Sequence, residues 1–296
     1  MKILVTGSTG LVGSNLIFYL TSNGHNILTL SRDKQAPLYW DIEKKIIPKE
    51  SLEDLDAVIH LSGENIVKKR WTPLFKEKLW KSRVGSTDFL VSTLLSLKNP
   101  PRTFISASAI GIYGDRENEQ LFEYSNPGTG FLADLCSAWE NASKPLQQRN
   151  IRVIHMRFGA ILSELGGMLH KMLPLYKLGL GSVIGNGKQY MSWIALEDVI
   201  CSIEHVLLNS SLSGPVNCTS PFSITNYDFT KTLGFILKRP TFLKMPGFIA
   251  RILFGEMAKA LFLSSVNAYP KILIENHYSF RHPILKDFLK QKLSRD

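Results

Sequence analysis

Residues 2–20 read KILVTGSTGLVGSNLIFYL, and this stretch decides the fold. An apolar, strand-forming run breaks at Gly7 into glycines spaced by three, at Gly7, Gly10 and Gly13. It restarts as Leu11, Val12, Leu16, Tyr19 and Leu20, which share one helix face. At a strand–turn–helix junction such glycines let the main chain approach a pyrophosphate, and the first N–H groups of the helix favour an anion. Gly7, Thr9, Gly10, Leu11, Val12 and Gly13 are therefore the expected phosphate cradle. The plain alternative is a strand–helix turn that is merely rich in glycine.

The end of the second strand bears on which dinucleotide would bind. A site for NAD carries Asp or Glu there, to accept from the ribose 2′-hydroxyl. Here the run HNILTL ends in Ser31 and Arg32. A guanidinium suits a 2′-phosphate and gains little from a hydroxyl, so NADP is expected in preference to NAD. Asp33 competes with this reading, because a small register shift would restore an acidic reader.

Strand-like runs at 2–6, 26–30, 56–61, 102–108 and 152–162 alternate with helical patterns near 11–22, 73–97 and 131–149. Thr72 and Pro73 read as a helix start, with a capping hydroxyl and a proline at the first helical position. Alternation of this kind implies an α/β fold with a doubly wound parallel sheet of Rossmann type, whose ligands lie at the carboxyl ends of the strands. Gly7, Ser31, Arg32, Leu61, Ser62, Gly63, Ser106 and Ser108 should then line one crevice. After residue 162 the texture changes to a Met- and Leu-rich helix followed by glycines at 179, 181, 185 and 187, as in a lid or pocket wall. The expected division is a dinucleotide-binding domain at 1–165, with 190–220 returning to its sheet. A smaller substrate region takes 166–189 and 221–296. Thr225 and Asp228 stand in capping-box relation. Phe248, Ile249, Ile252, Leu253 and Met257 are expected to pack over the pocket.

The 296 residues are 44% hydrophobic and 20% charged, with a formal net charge of +10, which suits an anionic ligand. The cations at 68–83 read as a solvated helix face with one or two phosphate-contacting members, and no nucleic-acid motif accompanies them. No secretory signal is evident at the N-terminus. The apolar segment 246–263 is interrupted by Arg251, Glu256 and Lys259, so no membrane span is expected. Cys136, Cys201 and Cys218 lack metal or disulfide spacing. No metal is expected, and the location expected is cytoplasmic.

A further set of motifs carries a family resemblance: HLSGENI (60–66), RW (70–71), SRV (82–84), SASAIGIYGD (106–115), FLADLCSAWE (131–140), MLPLYKLGLG (172–181), MSWI (191–194), SGPVNCTSP (213–221) and LFGEM (253–257). With the glycine turn, the chain resembles the epimerase-like, atypical branch of the extended short-chain dehydrogenase/reductase superfamily. The resemblance implies a Rossmann domain, an NAD(P) cofactor and a Ser beside a Tyr-x-x-x-Lys pair as acid–base machinery. Ser108 matches the Ser. The pair should fall at 131–136, where FLADLC offers neither phenol nor ammonium. Tyr113 is the nearest replacement, with packing as its plainer role. Ile112 and Ala195 stand where relatives carry Tyr and His. Glu64, Asn65, Arg83 and Trp193 are candidate substrate-pocket residues.

Two functions follow as expectations. One is an NADP-dependent oxidoreductase or epimerase acting on a small or nucleotide-linked hydroxyl or carbonyl compound, with Ser108 and Tyr113 in catalytic roles. The other is a non-catalytic NADP-binding sensor working through a protein partner, which needs no acid–base pair.

Overall fold

The computed structural model describes residues 1–294; residues 295 and 296, the end of the expected C-terminal region, lie outside the described residues. Strand β1 (Lys2–Thr6) buries Ile3, Leu4, Val5 and Thr6, and it pairs in parallel with β2 (Asn26–Ser31) on one side. On its other side it pairs in parallel with β4 (Ala57–His60), all four residues of which are buried. Strand β3 (Leu38–Tyr39) extends the sheet beyond β2, and β5 (Thr103–Ala109) pairs in parallel with β4. With β6 (Arg152–Phe158) and β7 (Gly214–Cys218) the order is β7-β6-β5-β4-β1-β2-β3. The chain reverses its direction of travel across the sheet between β1 and β4, which is the expected doubly wound, Rossmann-type order. Strands covered on both faces carry near-continuous apolar runs, as AVIH and TFISASA do.

The chain divides into two compact units. The first takes 1–108, 135–157 and 200–215, and the second takes 109–134, 158–199 and 216–296, of which 216–294 are described.

In the first unit, Leu4, Leu30, Val58 and Phe104 from the sheet pack with Trp40, Leu52, Phe89, Leu90 and Leu94. Trp40 stacks on Phe89 with ring centroids 6.3 Å apart. Helix α1 (Leu11–Ser22) turns Gly13, Leu16 and Leu20 inward. The helical pattern at 73–97 is one helical run with a flaw in it: α2 (Pro73–Trp80), a π-helical turn at Lys81–Gly85, then α3 (Ser86–Leu95). Its start is as expected, with Phe75 N–H donating to Thr72 Oγ1 at 3.2 Å. The hydroxyls of Ser82, Ser86 and Thr87 donate back to the carbonyls of Leu79, Ser82 and Arg83. Such bonds compete with the regular ladder and favour a local bulge. The pattern at 131–149 resolves into α4 (Phe131–Asn141) and a 3-10 turn at Lys144–Arg149 that carries Pro145 in its first turn.

The second unit has its own core, in which Trp193, Phe229, Leu233, Phe288 and Leu289 meet Leu169, Leu173 and Tyr176. It is built by α5 (Gly167–Lys177), the early turns of α6 (Leu196–Leu208), α7 (Asn226–Ile236), α8 (Gly247–Phe254), α9 (Lys271–Glu275) and α10 (Leu285–Leu293). The buried carboxylate of Asp198 accepts from the Tyr278 hydroxyl and from the main-chain N–H groups of Arg281 and His282. At the start of α7, Thr225 Oγ1 accepts from Asp228 N–H at 3.1 Å and donates to the Asp228 carboxylate.

Two expectations need correction here. The run 152–162 is not one strand. It breaks at Gly159, and Ala160–Leu162 pairs instead with Trp193–Ala195. A Cβ on Gly159 would lie 2.7 Å from the Ser192 carbonyl oxygen, so only glycine lets the chain cross there. The apolar residues of α8 do not pack inward as a set. Phe248, Ile252 and Leu253 are exposed, whereas Ala250 and Met257 are buried. Among the described residues no helix is long and apolar enough to cross a membrane.

Candidate functional site

The glycine turn folds into a tight elbow. Gly7 has φ +72°, which favours glycine, and a Cβ there would lie 2.7 Å from the carbonyl carbon and oxygen of Leu61. A Cβ on Gly13 would fall onto the Gly7 carbonyl oxygen, so that glycine lets α1 sit down on the turn. Gly10 N–H donates to the Gly7 carbonyl at 3.0 Å, and Ser14 N–H to the Gly10 carbonyl at 2.9 Å. Gly10 caps α1 without a side-chain bond, and the first helical turn contains no acidic residue. The N–H groups of Leu11, Val12 and Gly13 therefore face an end with no competing carboxylate, as an anion requires.

The other strand ends come to this elbow. Leu61 N–H donates to the Thr6 carbonyl at 3.3 Å, holding the β4 exit, with Ser62 and Gly63, against Gly7. At the β2 exit Ser31 Oγ accepts from Asp33 N–H, and the Asp33 carboxylate accepts from Gln35 N–H at 3.0 Å. The acidic side chain is thus tied into its own turn, while Arg32 is exposed beside it. Ser106 is fully buried and pairs across the sheet with His60.

Beneath the β4–β5 exit lies a polar interior. Thr6 Oγ1 bonds His60 Nδ1 at 2.7 Å, His60 Nε2 bonds Thr87 Oγ1 at 3.1 Å, and Trp139 Nε1 donates to Thr87 Oγ1 at 3.0 Å. Burial pushes the His60 pKa down to about 4, so the ring is neutral at neutral pH.

Ser108, at the end of β5, donates to Glu140 Oε1 at 2.7 Å. Arg157 holds the same carboxylate with both arms, Nε to Oε1 and Nη2 to Oε2, each at 2.8 Å. Burial alone would raise the Glu140 pKa. The Arg157 hydrogen bonds and charge, with smaller help from His155 and Ser108, outweigh it and hold the carboxyl below its usual range. Sequence reasoning did not single out Glu140 or Arg157. The available signal was one charge each in the apolar stretches CSAWE and VIHMRF, where an unpaired charge would be costly.

The remaining candidates separate. Glu64 is buried and its carboxylate pairs with Lys68 at 3.1 Å and Lys78 at 3.3 Å. Burial would raise its pKa, but these two ammonium groups lower it further. Asn65 Oδ1 accepts from Val67 N–H in a local turn. Tyr113, in the second unit, is fully buried, and its hydroxyl bonds Asn217 Oδ1 at 2.7 Å and the Phe122 carbonyl at 3.0 Å. Trp193 is a core residue of that unit, with Nε1 donating to the Phe222 carbonyl. Both side chains are held as packing groups. Among the described residues no cluster of His, Cys, Asp and Glu could hold a metal ion.

Comparison with known proteins follows this geometry. The sequence profile described as the NAD dependent epimerase/dehydratase family matches residues 3–218, and a domain of unknown function, DUF1731, matches residues 245–291. The chain is 38% identical over 296 residues to Epimerase family protein Mb2239 of Mycobacterium bovis, covering 99% of this chain and 98% of that protein. It is 32% identical to Epimerase family protein YfhF of Bacillus subtilis, covering 99% and 98%. The crystal structure of human epimerase family protein SDR39U1 (isoform 2) with NADPH superposes with a TM-score of 0.91 at 28% identity, covering 99% of each chain.

Proposed function

The chain belongs to the NAD dependent epimerase/dehydratase family, and from that premise we propose that it binds NADP(H) across the carboxyl ends of β1, β2 and β4 and serves as an oxidoreductase or epimerase-like enzyme. The observation that carries this reading is the elbow itself. Its glycines let the β4 exit and the start of α1 close tightly on the turn, where any Cβ at Gly7 or Gly13 would meet main-chain atoms, and they present a helix start without a side-chain cap. That cradle fits a pyrophosphate. Gly7, Thr9, Gly10, Leu11, Val12 and Gly13 would hold it, Arg32 with Ser31 would take the 2′-phosphate, and Leu61, Ser62, Gly63 and Ser106 would floor the crevice. The relative solved with NADPH supports the same choice of cofactor.

The nicotinamide supplies hydride exchange when bound. The part of this chain would be to hold the oxygen of a hydroxyl or carbonyl substrate. Because Ser108 donates inward to Glu140, its oxygen offers a lone pair to a substrate O–H. Rotation of that hydroxyl would instead turn its proton toward a carbonyl oxygen, and Glu140 would stay neutralised by Arg157. A small or nucleotide-linked alcohol or ketone suits this arrangement.

The decisive experiment is calorimetric titration of NADPH and NADH into wild type and Arg32→Asp. Loss of NADPH affinity by about tenfold or more, with NADH little changed, supports the assignment. Equal loss of both, or no binding to wild type, overturns it.

A second reading, a non-catalytic NADP-binding sensor with a protein partner, is favoured by one observation. Tyr113 is locked inside, its hydroxyl bonded to Asn217 and so not free to act as the acid–base group. Oxidation of NADPH by any member of a panel of aldehydes, ketones and nucleotide sugars, abolished in Ser108→Ala, rejects the sensor. Tight NADPH binding with no turnover across the panel favours it.

A further inference from the structure

Helix α8 in the second unit turns an apolar face outward. Phe248, Ile249, Ile252 and Leu253 stand at helical spacings of one and four, which puts them on one side of the helix, and each is between 37% and 67% exposed. The other side is the packed one. Ala250 is buried, and Phe254 meets Phe262 edge-on with ring centroids 5.3 Å apart. Gly255, at φ +63°, ends the helix, and the buried Met257 and Ala258 follow it. The helix is thus seated on its own unit by one side and by its C-terminal end.

More apolar surface stands in the chain just before the helix. Phe242, at the start of the strand Leu243–Met245, is exposed. The loop after α5 comes up to this segment: a Cβ on Gly179 would lie 3.6 Å from Pro240, and Arg239 Nε donates to the Lys177 carbonyl at 2.8 Å. Leu178 and Leu180 in that loop are exposed as well. Single exposed apolar residues are ordinary, but a run of them on one helix face marks a binding surface.

Charge says what covers that face. Between 238 and 259 the cations Lys238, Arg239, Lys244, Arg251 and Lys259 are all exposed, and Glu256 is the one acid. A second copy of this chain would set the same cations against each other across a two-fold interface, which disfavours self-association there. An anionic lipid surface is the complementary occupant. It accepts protruding Phe, Ile and Leu side chains without a matching groove, and its headgroups meet long cationic side chains in no fixed geometry. With eight residues, α8 can lie in such a surface and is far too short to span it.

We propose that α8 docks the protein peripherally on anionic phospholipid bilayers, with Phe248, Ile249, Ile252 and Leu253 entering the headgroup–acyl boundary and Lys244, Arg251 and Lys259 meeting lipid phosphates. The inference is independent of the NADP(H) reading, because none of the residues assigned to the cofactor lies in this segment.

The test sediments full-length protein with two kinds of large unilamellar vesicle, phosphatidylcholine alone and equal parts of phosphatidylcholine and phosphatidylglycerol. Wild type should bind the anionic vesicles about tenfold or more tightly than the neutral ones, and less tightly as salt rises. Phe248→Ser with Ile252→Ser should lose about tenfold or more of the anionic-vesicle affinity at an unchanged melting temperature, because both side chains are already exposed. Lys244→Gln with Arg251→Gln should lose about fivefold for each cation removed, and decides the matter if the serine variant does not fold. No sedimentation of wild type with anionic vesicles, or equal sedimentation with both kinds, overturns the proposal. Unchanged vesicle affinity in either folded double variant also overturns it, because another surface would then be responsible. A concentration-dependent dimer that the serine variant abolishes, with no vesicle binding by wild type, assigns the face to a second copy instead.

Discussion

The hydroxyl of Ser108 donates to Oε1 of Glu140 at 2.7 Å, inside the first unit, with Arg157 clamping the same carboxylate from its other side. The serine at the end of β5 is therefore one member of a buried, neutralised trio. Its orientation is fixed by Glu140 and, behind that carboxylate, by Arg157. A serine so placed can hold an oxygen in register, but the carboxylate behind it is a weak base because Arg157 keeps its proton affinity low.

Glu140→Ala should therefore cost stability far beyond one hydrogen bond. It strands the Arg157 guanidinium, which is 6% exposed, without its carboxylate. A loss of about 3–5 kcal/mol is expected in urea unfolding, against about 1 kcal/mol for Ser108→Ala, which removes one hydrogen bond. If the two variants unfold at the same urea concentration, the trio is not a coupled unit.

At the elbow the glycines should rank by the space they lack. Gly13→Ala puts a methyl onto the Gly7 carbonyl and should destabilise the fold by about 1–3 kcal/mol while abolishing NADPH binding. Gly10→Ala meets that carbonyl only at 3.3 Å and should leave the melting temperature near wild type. Thermal melts with NADPH titrations check both. A Gly13→Ala protein as stable as wild type would show that α1 is not seated as described.

Stability should also depend on pH through His60. In the folded chain its pKa is lowered to about 4, whereas an exposed imidazole takes up a proton near 6.5. Between these values the unfolded chain binds the extra proton. Stability should therefore be complete above pH 6.5 and fall as pH drops, by about 1.4 kcal/mol per pH unit at most. His155, whose pKa burial also lowers, acts in the same direction. Denaturant unfolding of wild type and His60→Gln at pH 5.0, 5.5, 6.0 and 6.5 reads the slope. An equally steep fall in the variant would exclude His60 as its source.

The sequence carried the elbow, the β2 exit and the parallel order, because each depends on residues close together in the chain. Thr6–Gly13 needs only its own glycines to be read, and Ser31 and Arg32 need only the count from them. Thr72 and Pro73 marked a helix start that the structure keeps. Less of the inner site was legible. The π-helical turn under Arg83 depends on three hydroxyls bonding back along one helix, a choice that apolar periodicity does not record. The break at Gly159 depends on Ser192, far along the chain.

By itself, the sequence determined that this chain is an α/β protein with a glycine-rich elbow after its first strand and a basic group at the end of its second strand. Local spacing of glycines and apolar residues is enough to specify both. Tertiary structure alone decided that Ser108 is backed by Glu140 and Arg157, that Tyr113 is locked in a core, and that Arg83 lies against Gly63 and over Trp139. Those pairings join residues remote in the chain, and their partners are selected by burial, where an unmatched charge or hydroxyl costs several kcal/mol in order of magnitude and so must find a group that only folding brings near.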